Sequence, residues 1–439
     1  MTDTRTLSLQ AQLDARPFSL MQWRVVALCW LVNVLDGFDL LAISFAAPAI
    51  AKAWQLDPQT LGILFSSGLL GMTAGSLVLG PMADRIGRRR MIVLATAVLG
   101  LSTLATAAAG GVGQMMALRA VTGLAIGALL PSLNTLVAEY APDRRRNLAI
   151  AFMHLGYPIG GIAGGALAAA LLPSVGWPGI FIAGGVFTLA VLPLLLLGLP
   201  ESLHYLLRSA RPAAQRSAAR IATQLGVDLA AARLQDTPGG HGNPRSILGP
   251  GWLAPSLALW ACFFLGNLTL YFLLNWTPTV LVEAGLPSAQ AIRAGMLLNL
   301  GGGLGMLCLG QLSARWSIYP LMSGFFVLGG LLIMALGQAG ATDRLFALTV
   351  LAGFFSLGGL IGLYSLAARL YPDATRAGGV GFALGAGRFG AILGPYAGGV
   401  LIGLGWPMGR YFALLALPML AAAAIVWRVR APAVAGRDG

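Results

Sequence analysis

The chain has 439 residues, of which 57% are hydrophobic and only 10% charged, with a mean hydropathy of +0.79. Soluble domains carry about 25% charged residues, so this composition excludes a soluble globular protein and indicates a polytopic membrane protein. A formal charge of +13 would suit a polyanion-binding protein, but its placement in alternate loops argues against nucleic acid as the partner.

A spanning helix needs about 20 apolar residues. Stretches of that length fall at 23–51, 59–80, 91–109, 115–140, 147–172, 178–199, 252–280, 288–314, 319–339, 345–370, 378–401 and 408–428. These predict an all-α membrane protein of about twelve transmembrane helices. The implied organisation is a tail (1–20), a six-helix half (21–199), a central loop (200–250), a second six-helix half (251–430) and a second tail (431–439). The first apolar stretch is too long for the core of a cleavable signal peptide. Cys29, Cys262 and Cys308 lie inside apolar segments, which suits reduced, packed thiols. No His/Cys/acid cluster has metal-ligand spacing, and neither a metal nor a cofactor is expected.

The first span carries Asp36 and Asp39. An acid in hydrocarbon costs several kcal/mol and usually faces a bundle interior or a water-filled path. At spacing i, i+3 the two share a helical face, and Gly37 between them admits the close approach of another backbone. They are either structural carboxylates satisfied by neighbouring helices or a proton-binding site in a transporter. Two acids on one buried face favour the second.

Basic residues cluster in alternate loops: Arg85, Arg88, Arg89 and Arg90, then Arg144, Arg145 and Arg146, then six arginines between Arg208 and Arg245. The intervening loops carry little charge, so the positive-inside rule places both termini in the cytoplasm. After span two, the run Gly80-Pro81-Met82-Ala83-Asp84-Arg85-Ile86-Gly87-Arg88-Arg89-Arg90 presents an acid and several arginines on a glycine-containing turn. Asp84, Arg85 and Arg88 could pair with adjacent helix ends and latch one conformation; the alternative is a plain basic loop. Glu139, at the end of span four, either joins that latch or pairs with Arg144–Arg146.

Depth along the helices follows from a 1.5 Å rise per residue. Asp36 and Asp39 lie roughly 20 and 24 Å from the start of span one, and Arg119 roughly 9 Å into the oppositely running span four. The three fall at similar depth, so Arg119 either meets a carboxylate or snorkels to the interface. Span five adds His154 and Tyr157. In the central loop, 213–234 reads as amphipathic helix and 237–244 as a linker. Span seven has no acid but a polar stripe of Asn267, Tyr271 and Asn275 beside Trp276, which either bonds neighbouring helices or lines a cavity suited to an aromatic ring. Arg388 lies about 16 Å into span eleven, near midplane. Its planar fork suits a substrate carboxylate; the alternative is a buried ion pair with Asp36 or Asp39.

The halves repeat at an offset of 230 (310 − 80): Gly80 with Gly310, Arg85 with Arg315, Gly123 with Gly353 and, more specifically, Pro142-Asp143 and Arg146 with Pro372-Asp373 and Arg376. Two six-span halves related in this way are the arrangement of major facilitator transporters, with the site at midplane between them. The Gly80–Arg90 loop closely resembles the signature of that superfamily; its second-half counterpart, Gly310-Gln311-Leu312-Ser313-Ala314-Arg315, lacks the acid.

Asp36-Gly37-Phe38-Asp39 resembles the Asp-Gly-aromatic-Asp signature of the aromatic acid:proton symporters within the superfamily. Glu139-Tyr140-Ala141-Pro142, Pro200-Glu201-Ser202 and Gly387-Arg388-Phe389-Gly390 support the match over nearly the whole chain. The resemblance implies import of aromatic carboxylates such as hydroxybenzoates, driven by protons, across the inner membrane. The expected roles are Asp36 and Asp39 in proton coupling, Arg388, Arg119, Asn267, Tyr271, Trp276 and Tyr157 in substrate binding, and Asp84, Arg85, Arg88 and Glu139 in gating. The rival readings are a proton-coupled exporter of drugs or metabolites and a symporter of a non-aromatic organic acid. No nucleotide-binding motif suggests a primary pump, and no nucleophile–base pair suggests an enzyme.

Overall fold

A chain in hydrocarbon has no water to satisfy its backbone, so its peptide groups must close their hydrogen bonds within helices or closed barrels. The structure, a computed structural model, takes the first solution. It describes residues 9–209, 211–229, 247–249, 251–339 and 344–430, and among these there is no strand. The expected linker at 237–244, His241, Arg233, Arg245 and the tail from 431 lie outside the described residues.

In chain order the helices are α1 (Leu9–Asp14), α2 (Leu20–Trp54), α3 (Pro58–Ile86), α4 (Arg88–Thr106), α5 (Val112–Tyr140), α6 (Asp143–His154), α7 (Gly156–Leu171) and α8 (Trp177–Gly198). They continue as α9 (Leu203–Arg208), α10 (Pro212–Leu225), α11 (Leu253–Glu283), α12 (Ser288–Leu312), α13 (Ile318–Gln338), α14 (Arg344–Leu370), α15 (Asp373–Gly403) and α16 (Met408–Ile425). Among the described residues, 11 spans are long and apolar enough to cross a membrane, α6 and α7 together forming one of them. The 31-residue α15 is the remaining long helix among the described residues. Its many glycines, with Arg376 and Arg388, dilute its hydropathy.

The residues form two compact units. Unit 1 comprises Met1–Leu40, Leu70–Gly160 and Pro178–Thr237; unit 2 comprises Leu41–Leu69, Gly161–Trp177 and Pro238–Gly439. Compactness therefore does not follow the linear halves. Within unit 2, segment 41–69 is tied to α11 and α15. Ser44 Oγ bonds Asn275 at 3.3 Å and Ser66 Oγ donates to the Ile392 carbonyl at 2.8 Å. Phe65 lies edge-on to Trp276 at 5.3 Å. Asp57 caps α3, accepting from the Thr60 amide at 2.9 Å and hydroxyl at 2.7 Å; these bonds hold its carboxyl below the usual range.

Helix contacts inside each unit run through glycine, because without a Cβ two backbones can approach closely. In unit 1, a Cβ on Gly71, Gly75 or Gly160 would overlap the carbonyl oxygen of Ala120, Leu124 or Val34 respectively. In unit 2, Gly301, Gly305 and Gly390 stand in the same relation to the carbonyls of Val350, Phe354 and Phe264. Both members of every pair are displaced by 230 positions (301 − 71, 350 − 120). The internal repeat is thus a repeat of physical contacts as well as of letters.

At the end carrying the arginine-rich loops, α10 buries Ala218, Ile221, Ala222 and Leu225 and stops at Gly226, whose φ of 69° is the left-handed cap that glycine favours. It occupies part of the 213–234 stretch expected to be amphipathic. Gln12 of α1 exchanges two bonds with the backbone of Asp228, at 3.1 and 2.9 Å.

Replacing Gly71 by Val should destabilise the purified protein by about 1–3 kcal/mol, because the branched side chain has to displace α5. Gly113→Ala, where nothing lies within 4 Å of the added carbon, should leave the thermal unfolding midpoint within a degree or so of the parent.

Candidate functional site

The aspartates of α2 are almost wholly removed from solvent, Asp36 at 1% exposure and Asp39 at 2%. Gly37 between them receives the backbone carbonyl of Tyr157 from α7, which a Cβ would overlap. This is the close approach its position in the sequence anticipates. Tyr157 itself is half-buried.

Asp39 is held by α4 and α5. Its Oδ2 accepts from Arg119 Nη1 at 3.0 Å and its Oδ1 from Nη2 at 3.4 Å, while the Thr103 hydroxyl also donates to Oδ1. Arg119, 4% exposed, gives Nη2 further bonds to Thr106 Oγ1 at 3.2 Å and Thr122 Oγ1 at 3.0 Å. Both threonine hydroxyls donate to backbone carbonyls of their own helices, of Ser102 and Leu118, which leaves oxygen lone pairs for the guanidinium. The Phe181 ring of α8 lies under the cation, 5.2 Å from the guanidinium carbon. Arg119 is thus committed to Asp39 rather than snorkelling to an interface, and a two-point, charge-assisted contact offsets the loss of hydration of both ions.

A second cluster in unit 1 closes the end with the arginine-rich loops. Arg88 pairs with Asp84 at 3.0 Å and with Glu139 at 2.8 Å, and donates to Ser202 Oγ at 3.1 Å. Ser202 in turn donates to Glu139. Glu201 accepts from the amides of Arg89 and Ser202, both at 2.9 Å, placing its charge at the start of α4. The turn there is Gly87, whose φ of 103° excludes most side chains. Asp84 is 68% exposed, so its bridge is weak, whereas the Arg88–Glu139 pair is 17% and 11% exposed and carries more. Of the four expected gating residues, Asp84, Arg88 and Glu139 meet here. Arg85 is exposed and, among the described residues, in no ion pair. Arg146 is occupied by Asp143, so Glu139 does not spend itself on that surface loop.

The other expected residues lie in unit 2, except His154, which lies in unit 1. Arg388 is half-buried on α15 and, among the described residues, in no ion pair. Tyr364 of α14 lies within reach of its charge and edge-on to Phe263 at 5.3 Å. Asn267 packs against Gly387, the residue before Arg388, and gives its amide to the Phe263 carbonyl of its own helix at 2.8 Å. Asn275 does the same to Tyr271, at 2.8 Å. Trp276 is fully buried, with Nε1 donating to the Pro395 carbonyl at 2.8 Å, so its ring is committed to packing between helices. His154 meets Asn134 at 3.0 Å.

Sequence reading passed over Thr103, Thr106, Thr122 and Phe181 around Arg119, and Glu201 and Ser202 in the cluster around Arg88. Thr103 and Thr106 had a signal, hydroxyls at i and i+3 on α4, and Thr122 stands three residues after Arg119 on α5. Phe181 had none.

Residues 29–343 match the Major Facilitator Superfamily, and the chain belongs to that superfamily. It is a multi-pass membrane transport protein and not an enzyme. The 4-hydroxybenzoate transporter PcaK of Pseudomonas aeruginosa is 38% identical over 426 residues, covering 96% of this chain and 95% of that protein. The gallate transporter of Pseudomonas putida is 37% identical, covering 94% and 92%. Among solved structures, the xylose transporter XylE from E. coli in a partially occluded inward-open conformation has a TM-score of 0.74 at 16% identity, covering 96% of this chain and 100% of that one. That likeness bears on the fold alone.

Removing one partner of a buried pair leaves the other charge stranded. Arg119→Leu should lower the stability of the purified protein by about 3–5 kcal/mol. Adding Asp39→Asn should recover much of the loss, as read by thermal unfolding of the single and double variants.

Proposed function

We propose that this chain imports aromatic carboxylates of the hydroxybenzoate kind together with protons, by alternating access, across the inner membrane with both termini cytoplasmic. The observation that carries the reading is the dry Asp39–Arg119 pair one helical turn from Asp36, in the first span of a chain whose relatives carry 4-hydroxybenzoate and gallate. A buried carboxylate answers protonation with a change of partner. Neutral Asp39 no longer holds Arg119, and the released guanidinium needs another anion, a need that a substrate carboxylate meets. Coupling then follows from charge balance, because the anion and the proton each make the other's binding less costly. Asp36, on the same face, is the second acid in this scheme.

Arg388 is proposed as the residue that grips the carboxylate, since it stands at the middle of the 31-residue α15 and is free of an acidic partner among the described residues. In unit 2, Asn267 packs against the residue before Arg388 and Trp276 keeps α11 against α15; Tyr271, and separately Tyr157 in unit 1, are proposed as further substrate contacts. The Arg88–Glu139–Ser202 cluster is proposed as the latch of one conformation.

Uptake of labelled 4-hydroxybenzoate, gallate, benzoate and an aliphatic acid into vesicles tests the reading. The aromatic acids should accumulate under an inward pH gradient and lose accumulation with a protonophore. Gradient-independent uptake would contradict coupling, preference for the aliphatic acid would contradict the substrate class, and export conferring resistance would reverse the direction. Asp36→Asn and Asp39→Asn should abolish accumulation while the protein remains in the membrane. Arg388→Lys keeps the charge but loses the fork, so apparent affinity should fall about tenfold. Arg388→Ala should remove useful uptake; unchanged substrate affinity in a stable Arg388→Ala protein would take Arg388 out of the site.

A further inference from the structure

The arginine-rich end of unit 1 holds a cavity of about 480 Å³ that the transport scheme does not use. Its walls come from the start of α2, the start of α4, the end of α8 and the helix α10. Five arginines line it, Arg24, Arg89, Arg90, Arg211 and Arg220, against one acid, Glu201. That acid already accepts the amides of Arg89 and Ser202. Arg89 spends one nitrogen on the Leu196 carbonyl. Arg24, Arg90, Arg211 and Arg220 are exposed and, among the described residues, in no ion pair. Four guanidiniums around one hollow repel one another, and an anion seated among them would relieve that repulsion.

We propose that this cavity binds the headgroup of an anionic phospholipid. The arginines supply charge-assisted hydrogen bonds for a phosphate. What selects a lipid over a free anion is the flank. Leu197, a wall residue, is 87% exposed; Leu20 and Trp23, on either side of the wall residue Met21, are 86% and 52% exposed. Leu194 and Leu196 continue that apolar surface down α8 at 52% each. A phosphate in the cavity would therefore have its acyl chains against leucine, with a tryptophan at headgroup level, where such rings concentrate in membrane proteins. Basic pockets between membrane helices are suited to acidic headgroups. α10 contributes Arg220 to this cavity while burying Ile221 and Leu225, so an occupied site would also pin α10 to the bundle.

The proposal rests on the membrane-spanning fold and not on the substrate or coupling assignments, so either can fail alone. The full-length protein, purified in neutral detergent, is titrated with dioctanoyl phosphatidylglycerol and, separately, dioctanoyl phosphatidylcholine, glycerol phosphate and inorganic phosphate. Native mass spectrometry and thermal unfolding read the binding. Phosphatidylglycerol should bind and raise the unfolding temperature well beyond the other three. At about 1 kcal/mol per basic residue at a membrane surface, the triple change Arg24→Gln, Arg90→Gln and Arg220→Gln should weaken it about 100-fold. Arg216→Gln, on α10 but outside the cavity, should not. Should the triple variant misfold, Arg220→Gln alone, on a surface helix, should still show about a fivefold loss. Equal binding of phosphatidylcholine, binding by the triple variant and by Arg220→Gln equal to the parent's, or the same shift from inorganic phosphate would each overturn the proposal.

Discussion

Asp39 and Arg119 are opposite charges with almost no access to water, and each has to keep the other as its counter-ion. That constraint organises unit 1. It requires α2 and α5 to bring the two side chains to one depth, α4 to supply Thr103 and Thr106, and α8 to place Phe181 under the cation. Attraction between such ions is strong at low dielectric, but so is the cost of dehydrating them, and the two nearly cancel. In the proposed scheme a proton on Asp39 upsets that balance and releases Arg119, which is what a coupling site needs. The same pair would be a poor choice if its only task were to hold helices together, since apolar packing of equal volume does that at no dehydration cost.

Holding the helices together falls instead to glycine. Contacts at Gly71, Gly75 and Gly160, repeated 230 residues on at Gly301, Gly305 and Gly390, set backbone against carbonyl where lipid supplies no hydrophobic drive for helices to associate. Close packing leaves the polar residues free for other tasks. The two units share this scaffold and differ in what they hang on it. At the positions of Asp36 and Asp39, α11 carries Gly266 and Thr269, and α15 of unit 2 carries Arg388 at its middle. The repeated contacts give the units one architecture, while the charged residues give them different chemistry.

Much of this was legible in the sequence. Hydropathy located the spans because hydrocarbon imposes length and apolarity on each helix separately. The acids at Asp36 and Asp39 stood out because a charge is rare in such a segment, and Gly37 between them announced a close backbone contact. Partner choice was less legible. Helix rise fixed the depth of Arg119 but not its rotation about α5, so depth alone could not decide between a carboxylate and the interface. The same gap explains Arg85 and Arg88, three apart in one motif, of which only Arg88 faces Glu139 and Ser202. Trp276 read as a stacking surface from its place in a polar stripe; its burial against Pro395 and Phe65 depends on α15 and segment 41–69, which no local pattern of α11 records. α15 passed as a span on its apolar run, yet its glycines, which make it weakly hydropathic, are what let it lie against α11 at Gly390 and Gly394.

The central claim is that movement of an aromatic carboxylate and movement of a proton are one event. It is tested most directly by loading proteoliposomes with a pH-sensitive dye, imposing no gradient, and adding 4-hydroxybenzoate outside. The lumen should acidify with the wild-type protein, and the signal should disappear with Asp39→Asn although substrate still binds. Substrate entry without acidification in the wild-type protein would contradict the claim.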